Sequence, residues 1–130
     1  MIDKQKILIV DDDLDFSSAM QGLLESRGYQ VTTACNGKEG FELALSLKPD
    51  LMLLDVMMTY DNEGFELAKK LSEEEKTRQI PVILITGIRK AKNLPFAFEP
   101  DPEWLPVRAV LEKPVKFDDF LDQVAKALGS

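Results

Sequence analysis

The segment from Pro49 to Asp55 places four apolar residues in a row directly before an aspartate. A short apolar run opened by Pro-Asp predicts a strand that is buried on both faces. The interior of such a strand offers a carboxylate no partner, so Asp55 is expected at the carboxyl end of the strand. In an open parallel sheet that end is where ligands bind. The segment therefore predicts a functional acidic group at one edge of a parallel sheet.

Strands and helices are predicted to alternate along the rest of the chain. Further apolar runs predict strands at Lys6–Val10, 80–85 and 107–111, and Gln30–Ala34 predicts a weaker one. Four one-faced apolar patterns between and after them predict amphipathic helices: Phe16, Ala19, Met20, Leu23 and Leu24; Phe41, Ala44 and Leu45; Phe65, Ala68 and Leu71; and Phe117, Phe120, Leu121, Val124, Ala125 and Leu128. Asp13 and Asn36 are expected to start the first two helices, and Gly28 and Pro49 to end them. This alternation predicts a parallel sheet covered by helices on both faces, with all strand carboxyl ends at one edge.

Residues 88–106 depart from this alternation. A fourth helix is expected there, yet residues 91–106 contain Pro95, Pro100, Pro102 and Pro106. Proline lacks a backbone donor and its ring clashes with the preceding turn of a helix. We therefore predict a short helical start over residues 88–93, followed by an irregular loop in place of most of the helix.

Length and composition limit the classes of protein that this sequence can represent. The 130 residues predict one domain, 1–130, with no output domain after the last helix. A net charge of −7 argues against a direct nucleic acid partner. No apolar run approaches the roughly 20 residues of a membrane span. The amino-terminal residues lack the apolar core of a signal peptide, which with the single Cys35 favours the cytoplasm. The absence of histidine excludes Ser-His and Cys-His catalysis and a phosphohistidine on this chain.

Polar side chains follow four of the predicted strands. Asp11 and Asp12 follow the first strand, Asp55 ends the third, Thr86 follows the fourth and Lys113 the fifth. Three neighbouring carboxylates repel one another, and a hard divalent cation such as Mg²⁺ relieves that repulsion. A lysine adds a second positive charge, and a hydroxyl can donate to a phosphoryl oxygen. The set predicts phosphoryl transfer in which Asp55 is the nucleophile and forms an acyl phosphate.

The same residues lie in sequence blocks that resemble the signature of response-regulator receiver domains. The blocks are Ile7-Leu8-Ile9-Val10-Asp11-Asp12, Leu53-Leu54-Asp55, Ile83-Leu84-Ile85-Thr86-Gly87 and Leu111-Glu112-Lys113-Pro114. The resemblance covers essentially the whole chain. It implies an α/β, flavodoxin-like (βα)5 three-layer sandwich whose five-stranded parallel sheet has the order 2-1-3-4-5. It also implies two-component phosphorelay signalling, in which a histidine kinase or phosphotransfer protein phosphorylates Asp55.

The resemblance further implies the role of each site residue. Mg²⁺ would be held by Asp12, Asp55 and the backbone carbonyl of Met57, with Asp11 acting through water. Thr86 would be the switch hydroxyl that moves to the phosphoryl group, and Lys113 the lysine that pairs with it. The implied chemistry is Mg²⁺-dependent self-phosphorylation and self-dephosphorylation at Asp55, and not that of a conventional enzyme.

Two departures from the family pattern favour an alternative, a pseudo-receiver that has the fold but is not phosphorylated. Thr59 stands where the family usually has proline, and Gly64 lies one residue later than the usual glycine. Val110 stands three residues before Lys113, where the family usually has an aromatic switch residue. The complete set of strand-end polar residues argues against this alternative.

A third departure is the long interval between Thr86 and Lys113, whose excess falls in residues 91–106. This region is expected to form an altered surface for a downstream protein or an attached output domain. Phe96, Phe98 and Trp104 are its candidate partner anchors, since aromatic residues dominate binding hot spots. Alternatively, they cover the edge of the sheet.

A small haloacid-dehalogenase-type phosphatase is the other alternative. Asp11-Asp12-Asp13 satisfies its Asp-x-Asp pattern, and Thr86, Lys113 and Asp118-Asp119 follow in the expected order. In such an enzyme Asp11 would be the nucleophile. However, the late acids are predicted in the first turn of a helix, and Asp55 would have no role.

Overall fold

The computed structural model describes residues 5–55, 63–86, 109–112 and 116–128. Its elements are β1 (Lys6–Val10), α1 (Leu14–Ser26), β2 (Gln30–Ala34), α2 (Gly37–Leu47), β3 (Leu51–Asp55), α3 (Glu63–Glu73), β4 (Val82–Thr86), β5 (Ala109–Glu112) and α4 (Phe117–Ala127). The predictions for residues 88–106, including the irregular proline-rich segment, lie outside the described residues.

All five described strands pair in parallel in one sheet of order β2-β1-β3-β4-β5. The central strand β3 lies between β1 and β4, with Leu53 opposite Ile9 on one side and Ile83 on the other. Each residue of β3 is buried. The predicted sheet order, the parallel pairing and the doubly buried strand ending in Asp55 are therefore confirmed.

Helices cover both faces of the sheet, because alternate residues of each strand point to opposite faces. One core combines strand residues with α2 and α3: Leu8, Val10, Met52, Leu54 and Leu84 with Ala44, Leu67 and Leu71. The other combines the intervening strand residues with α1 and α4: Ile7, Ile9, Leu51, Leu53, Ile83 and Ile85 with Met20, Leu24, Phe120 and Val124. The arrangement is the predicted three-layer sandwich.

Local capping chemistry sets the ends of α1 and the start of α2. Asp13 accepts a hydrogen bond from the backbone N–H of Phe16 at 3.1 Å. Gly28, just beyond the C-cap of α1, has φ 93°, a left-handed conformation that favours glycine. Asn36 accepts from the backbone N–H of Glu39 at 2.8 Å. These caps are where the sequence predicts them.

Two predicted element details are wrong. The strand predicted from residue 80 begins at Val82, because the backbone N–H of Ile80 donates to the carbonyl of Thr77 at 2.9 Å in a turn. Phe117 was predicted on the apolar face of the last helix, but its side chain is 57% exposed. It is the first residue of α4, whereas Phe120 one turn later is fully buried.

Candidate metal centre

Three carboxylates lie together at the carboxyl ends of β1 and β3. Asp11 and Asp12 directly follow β1, and Asp55 is the last residue of β3. The two strands are neighbours, with Val10 opposite Leu54, so their ends deliver the acids to one point. Each residue offers a carboxylate oxygen, and these oxygens lie within 4.8 Å of one another. The structure thus brings together the three side chains that the sequence assigned to Mg²⁺.

The three carboxylates differ sharply in burial. Asp11 is 1% exposed and Asp55 is 5% exposed, whereas Asp12 is exposed to solvent. Holding buried negative charges together is unfavourable unless a positive charge compensates them. The donors are all carboxylate oxygens, the ligands that Mg²⁺ prefers. The residues therefore fit a hard divalent cation, which a buried pair of acids and an exposed third one would hold directly or through water.

Two hydrogen bonds hold Asp11 in place, one at its main chain and one at its carboxylate. Its own N–H donates to the carbonyl of Ala34 at 3.0 Å, which extends the β1–β2 ladder by one bond. Its Oδ1 accepts a hydrogen bond from the backbone N–H of Asp13 at 2.8 Å. The sequence predicts Asp13 only as a helix cap. The sequence does not predict the hydrogen bond from the N–H of Asp13 to Asp11, although it does place a capping residue two positions after that acid.

Of the three other predicted site residues, Thr86 is the one that lies within the described residues. Thr86 is the last residue of β4, one position beyond Ile85, which pairs with Asp55. Its backbone therefore lies at the same edge of the sheet, on the strand next to Asp55. Met57 and Lys113 lie outside the described residues, so their roles stay predictions.

The late acids of a dehalogenase-type site lie outside the group formed by Asp11, Asp12 and Asp55. Asp118 and Asp119 are exposed residues in the first turn of α4. In the described parts of the chain, the group of acids close enough to share a metal ion contains Asp55 and neither of these two. The geometry thus places Asp55 in the acidic group, whereas the phosphatase alternative gives this residue no role.

A helix must be about 20 residues long and predominantly apolar to cross a bilayer. Over the described ranges, none is long and apolar enough to span a membrane.

Comparisons with known proteins agree with this arrangement. The family model described as the response regulator receiver domain matches residues 7–125. The chain is 32% identical over 123 residues to the DNA-binding dual master transcriptional regulator RpaA of Synechocystis, covering 95% of this chain and 48% of that protein. It is 29% identical over 128 residues to the polar-differentiation response regulator DivK of Brucella anthropi, covering 96% and 97%. The chain thus spans about half the length of the first relative and nearly all of the second.

A solved structure shows the same fold. The receiver domain of a sensor histidine kinase from Pseudomonas aeruginosa, described with a magnesium ion coordinated in its active site cleft, is 24% identical with a TM-score of 0.79. The comparison covers 98% of this chain and 100% of that one.

Proposed function

The chain belongs to the response regulator receiver domain family of two-component signalling, and we propose on that premise that Asp55 is its phosphoacceptor. One observation carries the proposal: the carboxylate oxygens of Asp11, Asp12 and Asp55 lie within 4.8 Å of one another at the carboxyl edge of the sheet. Asp55 ends the central strand, between the strand that leads to the other two acids and the strand that ends in Thr86.

The residues that would hold Mg²⁺ are Asp12, Asp55 and the backbone carbonyl of Met57, with Asp11 acting through water. The cation supplies positive charge that offsets the carboxylates and the incoming phosphoryl oxygens. The magnesium ion in the active site cleft of the Pseudomonas receiver domain, which has the same fold, supports Mg²⁺ as the cation. The burial of Asp11 and Asp55 supports it independently, since both carboxylates lie away from bulk water.

The proposed reaction moves a phosphoryl group from a phosphohistidine to Asp55. A carboxylate oxygen of Asp55 attacks the phosphorus, an oxygen–phosphorus bond forms, and the phosphorus–nitrogen bond breaks as the imidazole takes back its electron pair. These 130 residues contain no histidine, so the donor residue belongs to a histidine kinase or phosphotransfer protein. Hydrolysis completes the cycle: water attacks the phosphorus of the acyl phosphate, the bond from phosphorus to the Asp55 oxygen breaks, and inorganic phosphate leaves as the carboxylate is restored.

Two further residues would respond to the phosphoryl group. Lys113 pairs with it as a positive charge, and the Thr86 hydroxyl moves to it as a hydrogen-bond donor. The added negative charge then shifts the loop after β4 and the surface of residues 91–106, which binds a downstream protein or an attached output domain. The net charge of −7 favours a protein at this surface over direct contact with nucleic acid.

Intact-mass spectrometry after incubation with acetyl phosphate tests this function. We expect a single phosphoryl adduct that requires Mg²⁺ and is lost in Asp55→Asn. Asp50→Asn is the matched control, because Asp50 lies at the other end of β3, where it accepts from the backbone N–H of Lys6 at 2.7 Å. That variant should keep the adduct. A folded wild-type protein that binds Mg²⁺ but gains no adduct would instead establish the pseudo-receiver.

A further inference from the structure

We propose that Asp13 is a positioning residue for the metal centre: by capping α1 it holds the carboxylate of Asp11 and thereby raises the affinity for Mg²⁺. The inference rests on the proposed function, because it assumes that the acidic group binds this ion. It assigns Asp13 a role separate from that of a ligand, since its carboxylate lies outside the group formed by Asp11, Asp12 and Asp55.

Three hydrogen bonds connect residue 13 to the acid on one side and to the helix on the other. Its backbone N–H donates to Oδ1 of Asp11 at 2.8 Å. Its side chain accepts from the backbone N–H of Phe16 at 3.1 Å, and its carbonyl accepts from the backbone N–H of Ser17 at 3.0 Å. The first turn of α1 and the carboxylate of Asp11 are therefore joined through a single residue.

The main chain of Asp11 is fixed by the sheet, independently of the helix. Its backbone N–H is bonded to Ala34 of β2, so the main chain at residue 11 is part of the sheet. What the strand does not fix is the rotation of the carboxylate, and the N–H of Asp13 restrains that rotation. Asp12 lies between the two restrained residues, so the same cap limits the freedom of the exposed ligand as well. Pre-organised ligands bind more tightly because less ordering remains to be done on binding.

The charge of Asp13 also acts on a nearby cation, and substitutions separate charge from capping. Asparagine caps a helix about as well as aspartate but is neutral, whereas alanine neither caps nor carries charge. Asp13→Asn therefore removes the charge alone, and Asp13→Ala removes the charge together with the cap. The difference between these two variants measures the contribution of the cap.

The second helix provides a matched control for a general loss of helix stability. Asn36 is the N-cap of α2, at the same edge of the sheet, and accepts from the backbone N–H of Glu39 at 2.8 Å. Its side-chain hydrogen bonds within the described residues go to Glu39 and Cys35, and not to the acidic group. Asn36→Ala thus removes an equivalent cap that does not hold a metal ligand.

The test is the dissociation constant for Mg²⁺ measured by isothermal titration calorimetry on the full chain, at a temperature where circular dichroism shows each variant folded. We expect Asp13→Ala to bind about threefold to tenfold more weakly than Asp13→Asn, within the range that the free energy of a cap allows. Asn36→Ala should bind like the wild type.

Each contrary result has a distinct meaning. Equal affinities for Asp13→Asn and Asp13→Ala would overturn the proposal, because the cap would then contribute nothing. An equal loss in Asn36→Ala would overturn it as well, since the effect would reflect helix stability in general. A wild-type protein that binds no Mg²⁺ would overturn both this inference and the proposed function, whereas wild-type binding with unchanged variants would overturn the inference alone.

Discussion

Gly40 of α2 lies so close to β1 that a methyl group in its place would collide with the residue that precedes the metal centre. A Cβ at position 40 would lie 2.7 Å from Cγ2 and 3.0 Å from Cγ1 of Val10, and 3.4 Å from Cδ2 of Leu67. Val10 is fully buried, and its β-branched side chain is stiff at χ1. Neither methyl group of Val10 can turn aside without disturbing the core, so we predict that Gly40→Ala destabilises the protein.

The magnitude follows from two opposing effects. Replacing glycine by alanine inside a helix stabilises it by about 1 kcal/mol. Overpacking a core by one methyl group costs about 1–3 kcal/mol. Gly22 of α1 isolates the first effect, because a Cβ there meets no atom within 4 Å. We therefore expect Gly22→Ala to stabilise the protein by about 0.5–1 kcal/mol, and Gly40→Ala to be less stable than Gly22→Ala by about 1–3 kcal/mol.

Urea unfolding of both variants and the wild type measures these free energies, with an unchanged m-value required for the comparison. Combining Gly40→Ala with Val10→Ala tests the cause, since removing the methyl groups of Val10 should relieve the collision. The double variant should be more stable than the sum of the single changes predicts, by about 1 kcal/mol or more. Equal stabilities of Gly22→Ala and Gly40→Ala would refute this account of the packing between α2 and β1.

Three other substitutions test separate features, each by the same unfolding measurement. Gly28→Ala should cost about 1–2 kcal/mol, because φ at Gly28 is 93°; a loss below 0.5 kcal/mol would contradict the strain argument. Thr77→Val should cost about 1–2 kcal/mol, since the buried hydroxyl of Thr77 donates to the carbonyl of Leu71 at 2.7 Å; no loss would show that this bond is unimportant. Ser17→Ala should stabilise by about 1 kcal/mol, because among the described residues the buried Ser17 hydroxyl has no hydrogen-bond partner; a clear loss would reveal one.

Much of the fold could be predicted because local patterns and the tertiary structure agree. The apolar run before Asp55 becomes a central strand since both of its faces are covered, and Asp13 and Gly28 act through backbone chemistry that needs no distant partner. The two wrong predictions, the start of β4 and the burial of Phe117, depend on tertiary context. Ile80 belongs to an apolar run, but its N–H donates to the carbonyl of Thr77 in a turn. Phe117 fits the helical period, but it is the first residue of α4 and is 57% exposed.

The acidic group could be predicted because a parallel sheet brings the carboxyl ends of its strands to one edge. The sequence does not reveal how differently two adjacent aspartates are placed: Asp11 is 1% exposed and Asp12 is exposed. Nor does it show that the N–H of Asp13 bonds to Asp11, because that contact depends on how the first turn of α1 meets the strand. Such details arise from packing between elements, which the order of residues does not specify alone.

Chemical reduction identifies the phosphorylated residue and so decides between Asp55 and the other acids of the group. Borohydride reduces an aspartyl phosphate to homoserine, so treatment after acetyl phosphate and Mg²⁺, followed by tandem mass spectrometry of peptides, locates the modified position. We predict homoserine at position 55 and at neither position 11 nor position 12. Homoserine at position 11 would contradict the account in favour of phosphatase-type chemistry, and a wild-type protein with no homoserine at position 55 would show that Asp55 is not the phosphoacceptor.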